Sequence, residues 1–140
     1  MNSSGFTTLD EYLATEFTVD HWEDDAIGYA QELVTRLTPA DWAAFDDVRA
    51  QRPAVWQARA AQVLSHAAPT YAVPLLIRMA ESADPDVFEA AADSLRDFGS
   101  PEVPLAVPAA LVERVDRLAA EGPGPVALVM ADLRGRLRVV

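Results

Sequence analysis

Residues 84–101 read DPDVFEAAADSLRDFGSP, and AVPLL at residues 72–76 precedes them. Asp84 is a helix-capping residue, and the proline that follows it suits the first helical turn, where a missing N–H costs nothing. Gly99 and Pro101 predict the end of the helix, because glycine favours helix ends and proline prevents a restart. Apolar residues recur on one face of this predicted helix, at Val87, Ala91, Leu95 and Phe98.

The rest of the chain has the same helical periodicity, and it predicts eight helices in about four antiparallel hairpins. The other seven are expected from Thr7 or Thr8, over 19–37, from Thr38 to about 51, from Pro53 to about 67, over 71–82, through Leu111 to Leu118, and over 126–137. The proline-rich residues 102–108 are expected to be irregular. No stretch alternates with a period of two, so no sheet is predicted.

Composition limits what kind of protein this is. The 140 residues suffice for one domain with a continuous core, and 51% of them are hydrophobic, which argues against disorder. No apolar run reaches the roughly 18 residues of a membrane span, and the N-terminus lacks the pattern of a signal peptide. Cysteine is absent, which excludes disulfides and thiol chemistry. We therefore expect a single domain over residues 1–140 and a cytoplasmic location.

An internal repeat supports the hairpin arrangement. Trp22, Ala26 and Tyr29 have the spacing 0, 4 and 7, and equivalent sets follow 34 and then 32 residues later, at Trp56, Ala60 and Val63 and at Phe88, Ala92 and Leu95. Such a period matches a helix pair with its two turns. The recurring aromatic position has two interpretations: packing between helices, or a column of rings that lines a concave surface.

Residues 72–103, AVPLLIRMAESADPDVFEAAADSLRDFGSPEV, resemble the HEAT-like repeat family. Residues 53–71 match more loosely, residues 19–38 only through the aromatic-alanine spacing, and residues 124–140 poorly. Phe88 departs from the pattern, since the family usually has an arginine there. The resemblance implies an all-α fold, a short right-handed α-solenoid of about four antiparallel helix hairpins.

The charge of the chain is strongly negative and unevenly distributed. Twenty-two acidic residues face eleven arginines, lysine is absent, and the net charge is −11. Residues 1–50 hold eleven acidic residues and two arginines, a net charge of −9, whereas residues 51–140 hold eleven and nine, a net charge of −2. Such a field repels nucleic acid and attracts a basic protein, although acidity also serves solubility alone.

The acidic run at residues 20–25 is the nearest approach to a site. His21 and Asp25 share a helix face, but a transition-metal site needs further ligands. The run is either a solvated helix N-terminus or a docking surface for a basic protein. No catalytic residue, cofactor or metal site is predicted, and Arg134, Arg136 and Arg138 are interpreted as a basic C-terminal turn. The candidate partner-binding residues are Asp20, Trp22, Glu23, Asp24, Asp25, Asp41, Asp46, Asp47, Trp56 and Phe88.

The resemblance implies a non-enzymatic binding module. A short, acidic, cysteine-free solenoid is similar to immunity proteins of bacterial toxin–immunity systems of the contact-dependent inhibition type. The expected partner is then a basic toxin domain, such as a nuclease, with no nucleic-acid or membrane partner. The alternative is a general adaptor or assembly factor, resembling the HEAT-like domains associated with phycobilin lyases. A HEAT-like DNA glycosylase would need a basic groove, which the charge argues against.

Overall fold

The structure is a computed structural model that describes residues 4–140. The elements in chain order are α1 (Gly5–Leu13), α2 (Val19–His21), a π-helical turn (Trp22–Ala26), α3 (Ile27–Val34), α4 (Pro39–Val48), α5 (Ala54–Val63), α6 (Pro69–Met79), α7 (Pro85–Leu95), β1 (Leu105–Val107), α8 (Ala109–Glu121), α9 (Gly124–Arg134) and β2 (Leu137–Val139). Short 3₁₀ turns extend α4 and α5 at Arg49–Gln51 and Leu64–His66. Because the π-helical turn joins α2 and α3 into one helix, the predicted eight helices are confirmed.

Capping residues fix where several of these helices begin. The side chains of Ser4, Thr18 and Thr38 accept hydrogen bonds from the backbone N–H three residues on, and so open α1, α2 and α4. Asp84 caps α7 in the predicted way, since its carboxylate accepts from the N–H groups of Asp86 and Val87. Helix α6 begins at Pro69, two residues before the predicted start, because proline is favoured in the first turn.

The helices form two layers of a short α-solenoid, which confirms the predicted fold class. In one layer, the helix formed by α2 and α3 packs against α5, α5 against α7, and α7 against α9. Helices α1, α4, α6 and α8 pack against this row and complete the core. The largest fully buried side chains lie between the layers and include Phe45, Trp56, Phe88, Leu95 and Leu133. The second layer thus leaves one long face of the first layer open to solvent.

The prediction that the chain has no sheet is wrong. Strands β1 and β2 pair in parallel, with Leu105 opposite Leu137 and Val107 opposite Val139. The Leu105 N–H donates to the Arg136 carbonyl at 2.8 Å, and the Val140 N–H donates to the Val107 carbonyl at 3.0 Å. Each strand has only three residues, too few to show an alternating pattern in the sequence. The sheet ties the segment after α7 to the end of the chain.

Gly99 has a role that differs from the predicted one. No glycine in residues 4–140 has a positive φ, so Gly99 does not end α7 through a left-handed conformation. A Cβ atom at this position would lie 2.8 Å from the Arg136 carbonyl oxygen, beside β2. The Arg136 guanidinium also donates to the Gly99 carbonyl at 3.0 Å. Glycine is therefore needed because another backbone segment approaches it closely.

We expect Gly99→Ala to destabilise the protein by about 1–3 kcal/mol, because the added methyl group displaces backbone at the sheet. Gly28→Ala is the matched control: Gly28 lies within α3 with no atom near the added Cβ, so the change should stabilise by about 0.5–1 kcal/mol. Urea unfolding followed by circular dichroism measures both. Equal stability of the two variants would show that the contact at Gly99 is unimportant.

Candidate functional site

The open face of the first helical layer carries a groove, and we call it the acidic groove. Its central cavity has a volume of about 530 Å³ and draws residues from all four helices of the layer. A second cavity of about 330 Å³ adjoins it and shares Glu23, Gln62 and Asp93. The lining of the central cavity consists of Val19, Glu23, Ala58, Gln62, Asp86, Glu89, Ala90, Asp93, Pro125, Val126, Val129 and Met130.

Helix α7 supplies most of the charge of the groove. Its carboxylates at Asp86, Glu89 and Asp93 line the central cavity, and Asp97, just beyond the helix, lines the adjoining one. Steps of three, four and four residues place these four on one helix face. That face is opposite the buried stripe described above for the same helix, so the fold that buries the apolar stripe necessarily turns the acidic stripe outward.

Most carboxylates of the groove form no ion pair with a basic side chain of the described residues. Within residues 4–140, none of Glu23, Asp86, Glu89 and Asp97 forms an ion pair. Asp93 is the exception, because its carboxylate lies 2.8 Å from the Arg96 guanidinium. The negative charge of the central cavity is therefore largely uncompensated, which favours binding of a cationic group there.

Several acids outside the groove are neutralised by arginine. Asp10 receives two hydrogen bonds from Arg52, Asp116 pairs with Arg134, and Asp132 pairs with Arg96 and Arg136. The Asp10 hydrogen bonds raise the pKa of the Arg52 guanidinium. Arginine thus neutralises these three acids and Asp93, and it leaves Glu23, Asp86, Glu89 and Asp97 without an ion pair in the described residues.

Part of the lining of the central cavity and one end of the groove are apolar. Ala58, Ala90 and Val126 line the central cavity together with its acidic side chains, and we call these three residues the apolar floor. Val19 and Val55 lie at the end where α2 and α5 begin, and they are 71% and 61% exposed. Exposed apolar side chains next to unpaired carboxylates are a composition suited to a protein interface.

The π-helical turn that carries Glu23 is held from α5. The Arg59 guanidinium lies 5.1 Å from the centroid of the Trp22 ring and donates to the carbonyls of Leu13, Thr15 and Phe17. The Trp22 indole N–H donates to Gln62 at 2.6 Å. Burial lowers the pKa of the Arg59 guanidinium. These contacts fix the edge of the groove opposite α7 and hence the position of Glu23.

The predicted acidic residues have several different environments. Glu23 is the one that lines the groove, while Asp20, Asp24, Asp25 and Asp47 are exposed and do not line its cavities. Asp25 lies 3.5 Å from His21. In the described part of the chain, no three His, Asp or Glu residues cluster closely enough to hold a metal ion.

Asp46 and Asp41 are used within the fold. Asp46 lies between two arginines, and although burial alone would raise its pKa, the Arg49 and Arg78 guanidinium groups lower it. Asp41 is buried; it accepts hydrogen bonds from the Phe6 N–H at 3.1 Å and from the Thr38 N–H at 2.9 Å. We therefore exclude Asp41 from the partner-binding surface, because a buried, fully bonded carboxylate cannot meet a partner.

Asp41 should make stability depend on pH. Burial alone would raise its pKa, but the hydrogen bonds from Thr38 and Phe6 outweigh this and hold the pKa below the ordinary value of 3.8. Because the pKa in the folded state is depressed, the stabilisation is complete above the unfolded value and is lost as pH falls through the folded one. We expect Asp41→Asn to destabilise by about 1–3 kcal/mol at neutral pH, and by less in acid.

Urea unfolding of the two proteins from about pH 7 to about pH 3 measures this difference. Asp47→Asn is the control, since Asp47 lies exposed on the same helix. A constant difference between Asp41→Asn and the unsubstituted protein across that range would contradict the assignment.

The aromatic column does not line the groove. Trp22, Trp56 and Phe88 are 4%, 2% and 0% exposed, so all three rings are buried in the core. The Trp56 ring lies 5.5 Å from that of Phe45, and the Arg114 guanidinium lies 3.8 Å from the centroid of Phe88. The interpretation as packing between helices therefore holds, and we exclude these rings from the partner-binding surface.

The C-terminal arginines take part in intramolecular contacts. Arg134 pairs with Asp116 at 2.9 Å, and Arg136 pairs with Asp132 and bonds the Gly99 carbonyl. Arg138 lies exposed in β2. Helix α9 ends at Arg134, three residues before the predicted end at residue 137, because the chain then enters β2. Over residues 4–140, no helix has both the length and the apolar character needed to cross a membrane.

A model of the family described as HEAT repeats matches residues 47–121, just over half of the chain. The match covers α5, α6, α7 and α8 and includes the acidic stripe of α7. Neither the curated proteins nor the solved structures include a significant match to the chain.

Proposed function

Because this chain belongs to the HEAT repeat family, whose repeats generally mediate protein–protein interaction, we propose that it is a non-catalytic binding module for a basic protein. The observation that carries the proposal is the acidic groove, where Glu23, Asp86 and Glu89 lie unpaired beside an apolar floor. Lysine and arginine side chains fit such a surface, because their aliphatic stems cover apolar groups while their charged ends reach carboxylates.

The finer proposal is that the chain is an immunity protein that masks a basic toxin domain in the cytoplasm, with residues 1–140 acting as one domain. A nuclease toxin is basic where it binds nucleic acid, so an acidic inhibitor with a net charge of −11 meets that surface quickly and competes with the substrate. The exposed acids Asp20, Asp24, Asp25 and Asp47 contribute to this long-range attraction without lining the groove.

Co-expression with the reading frames beside its gene tests the immunity proposal. One of them should encode a basic domain that is toxic alone, harmless with this chain, and purified in complex with it. Binding should weaken between about 50 mM and about 500 mM NaCl, because salt screens the attraction. If no neighbouring frame is toxic or forms a complex, the immunity proposal fails.

A general adaptor would give a different result in the same system. Its partner would remain bound after charge reversal of the groove, and the complex would be insensitive to salt. That outcome would support the proposal of a binding module and contradict the electrostatic role of the groove.

A further inference from the structure

The acidic groove also limits the conformation of what it binds. The four acids of α7 and the turn that follows it begin at Asp86 and end at Asp97. At 1.5 Å per residue, the eleven-residue separation places the first and last about 16 Å apart along the helix axis. The acidic stripe therefore has a helical repeat, and its charges lie on average about 5–6 Å apart.

A partner helix has the same repeat. Basic residues spaced three or four apart on one helix face rise by about 4.5–6 Å each, so they stay in step with the stripe over three turns. An extended chain rises about 3.3 Å per residue, so side chains on one of its sides lie about 6.6 Å apart. Because this exceeds the spacing of the acidic stripe by about 1 Å, each further basic side chain lies further out of register with its acid. Charge complementarity thus favours a helix over an extended segment.

The apolar groups of the groove have a helical counterpart as well. Ala58, Ala90 and Val126 are short side chains on three adjacent helices, and they line the same cavity as Asp86, Glu89 and Asp93. A helix with one basic edge and one face of small apolar residues can meet both surfaces at once. An extended segment of the same length presents fewer side chains to the floor.

We infer that the occupant of the acidic groove is an amphipathic basic helix of a partner protein, which lies along α7 and pairs with Asp86, Glu89, Asp93 and Asp97. This inference rests on the proposed function, because it specifies the partner of the same groove. The apolar face of the partner helix covers the apolar floor, and Glu23 contacts the side of that helix that faces away from α7.

Two synthetic peptides of identical composition test the inference with the full chain. In the first, lysines occupy positions i, i+3, i+7 and i+11 among alanine and leucine; in the second, they occupy i, i+2, i+4 and i+6, which line one side of an extended strand. Fluorescence anisotropy of labelled peptides gives Kd, and circular dichroism gives the helix content gained on mixing. We expect the first peptide to bind at least about tenfold tighter and to become helical.

Each outcome has a defined meaning. Equal affinity without gain of helix, or tighter binding of the second peptide, overturns the inference but leaves a basic partner in the groove. If neither peptide binds at about 50 mM NaCl, both the inference and the proposed role of the groove are overturned. Loss of binding of the first peptide to Glu89→Lys places the interaction in the groove, and unchanged binding to that variant overturns the inference.

Discussion

The double variant Glu23→Lys/Glu89→Lys should bind a basic helical peptide, or the natural partner, about 30- to 150-fold more weakly than the unsubstituted chain, a loss of about 2–3 kcal/mol. Each substitution removes one attractive contact and introduces one repulsive contact with the ligand. Neither glutamate forms an ion pair within residues 4–140, and lysine favours helices about as well as glutamate, so the fold should be preserved.

The control is Glu32→Lys/Glu113→Lys. Both glutamates are exposed, lie on helices and are outside the groove cavities. Two glutamate-to-lysine changes remove two negative charges and add two positive ones, so both double variants change the net charge from −11 to −7. The control should lose less than about threefold in affinity, mainly through slower association. Equal losses in the two variants would attribute binding to the net charge and not to the groove.

The sequence prediction and the structure-based proposal place the interaction on different helices. The sequence prediction placed the interaction in the first third of the chain, because eleven acidic residues lie there. Composition does not show which acids are already paired, and the structure shows that Asp10, Asp41 and Asp46 are bonded within the fold. Only the three-dimensional structure distinguishes a carboxylate that has no partner within the fold from one that is already bonded there.

The sequence of residues 84–101 nevertheless contains a pattern that indicates the groove. The acids at 86, 89, 93 and 97 have the same helical spacing as the apolar stripe, on the opposite face. Tracing both stripes of α7 would have identified an acidic surface there. The apolar floor has no such signal, because Ala58, Ala90 and Val126 belong to three helices whose packing is not readable from periodicity.

Most of the fold could be predicted because its determinants are local. The caps at Thr38 and Asp84 act within a few residues of themselves, and each begins a helix as expected. The pairing of β1 with β2 depends on residues 32 positions apart and on strands of three residues, so no local pattern predicts it. The π-helical turn at Trp22–Ala26 likewise depends on Arg59 and Gln62 of α5.

Phe88→Ala should be the most destabilising of the single substitutions considered, with a loss of about 3–5 kcal/mol in the free energy of unfolding. The ring is fully buried between the helical layers, so its removal leaves a cavity at the centre of the solenoid. Urea unfolding measures the loss, and Phe88→Leu provides a milder variant that retains most of the buried volume. Leu128→Ala is the control, because Leu128 is 75% exposed and its loss should cost less than about 0.5 kcal/mol.

The cost at Phe88 includes a contact with a cation. The Arg114 guanidinium lies 3.8 Å from the ring centroid, and its Nη1 atom donates to the Ser82 carbonyl at 2.6 Å. Burial and the nearby Arg117 lower the pKa of Arg114, and its guanidinium contacts the Phe88 ring and the carbonyls of Ala80 and Ser82. The resemblance to HEAT-like repeats puts an arginine at position 88, whereas this chain brings a guanidinium to the same place from α8.

A double-mutant cycle of Phe88→Leu and Arg114→Met separates these two contacts. Methionine keeps the apolar stem of Arg114 and removes the charged group, and leucine keeps the buried volume of Phe88 and removes the ring. If the ring and the guanidinium interact directly, the two losses should differ from additivity by about 1 kcal/mol. If the losses are additive, Arg114 stabilises the protein through the carbonyls of Ala80 and Ser82, and Phe88 stabilises it through packing alone. The first result would show that a cation–π contact joins α8 to α7.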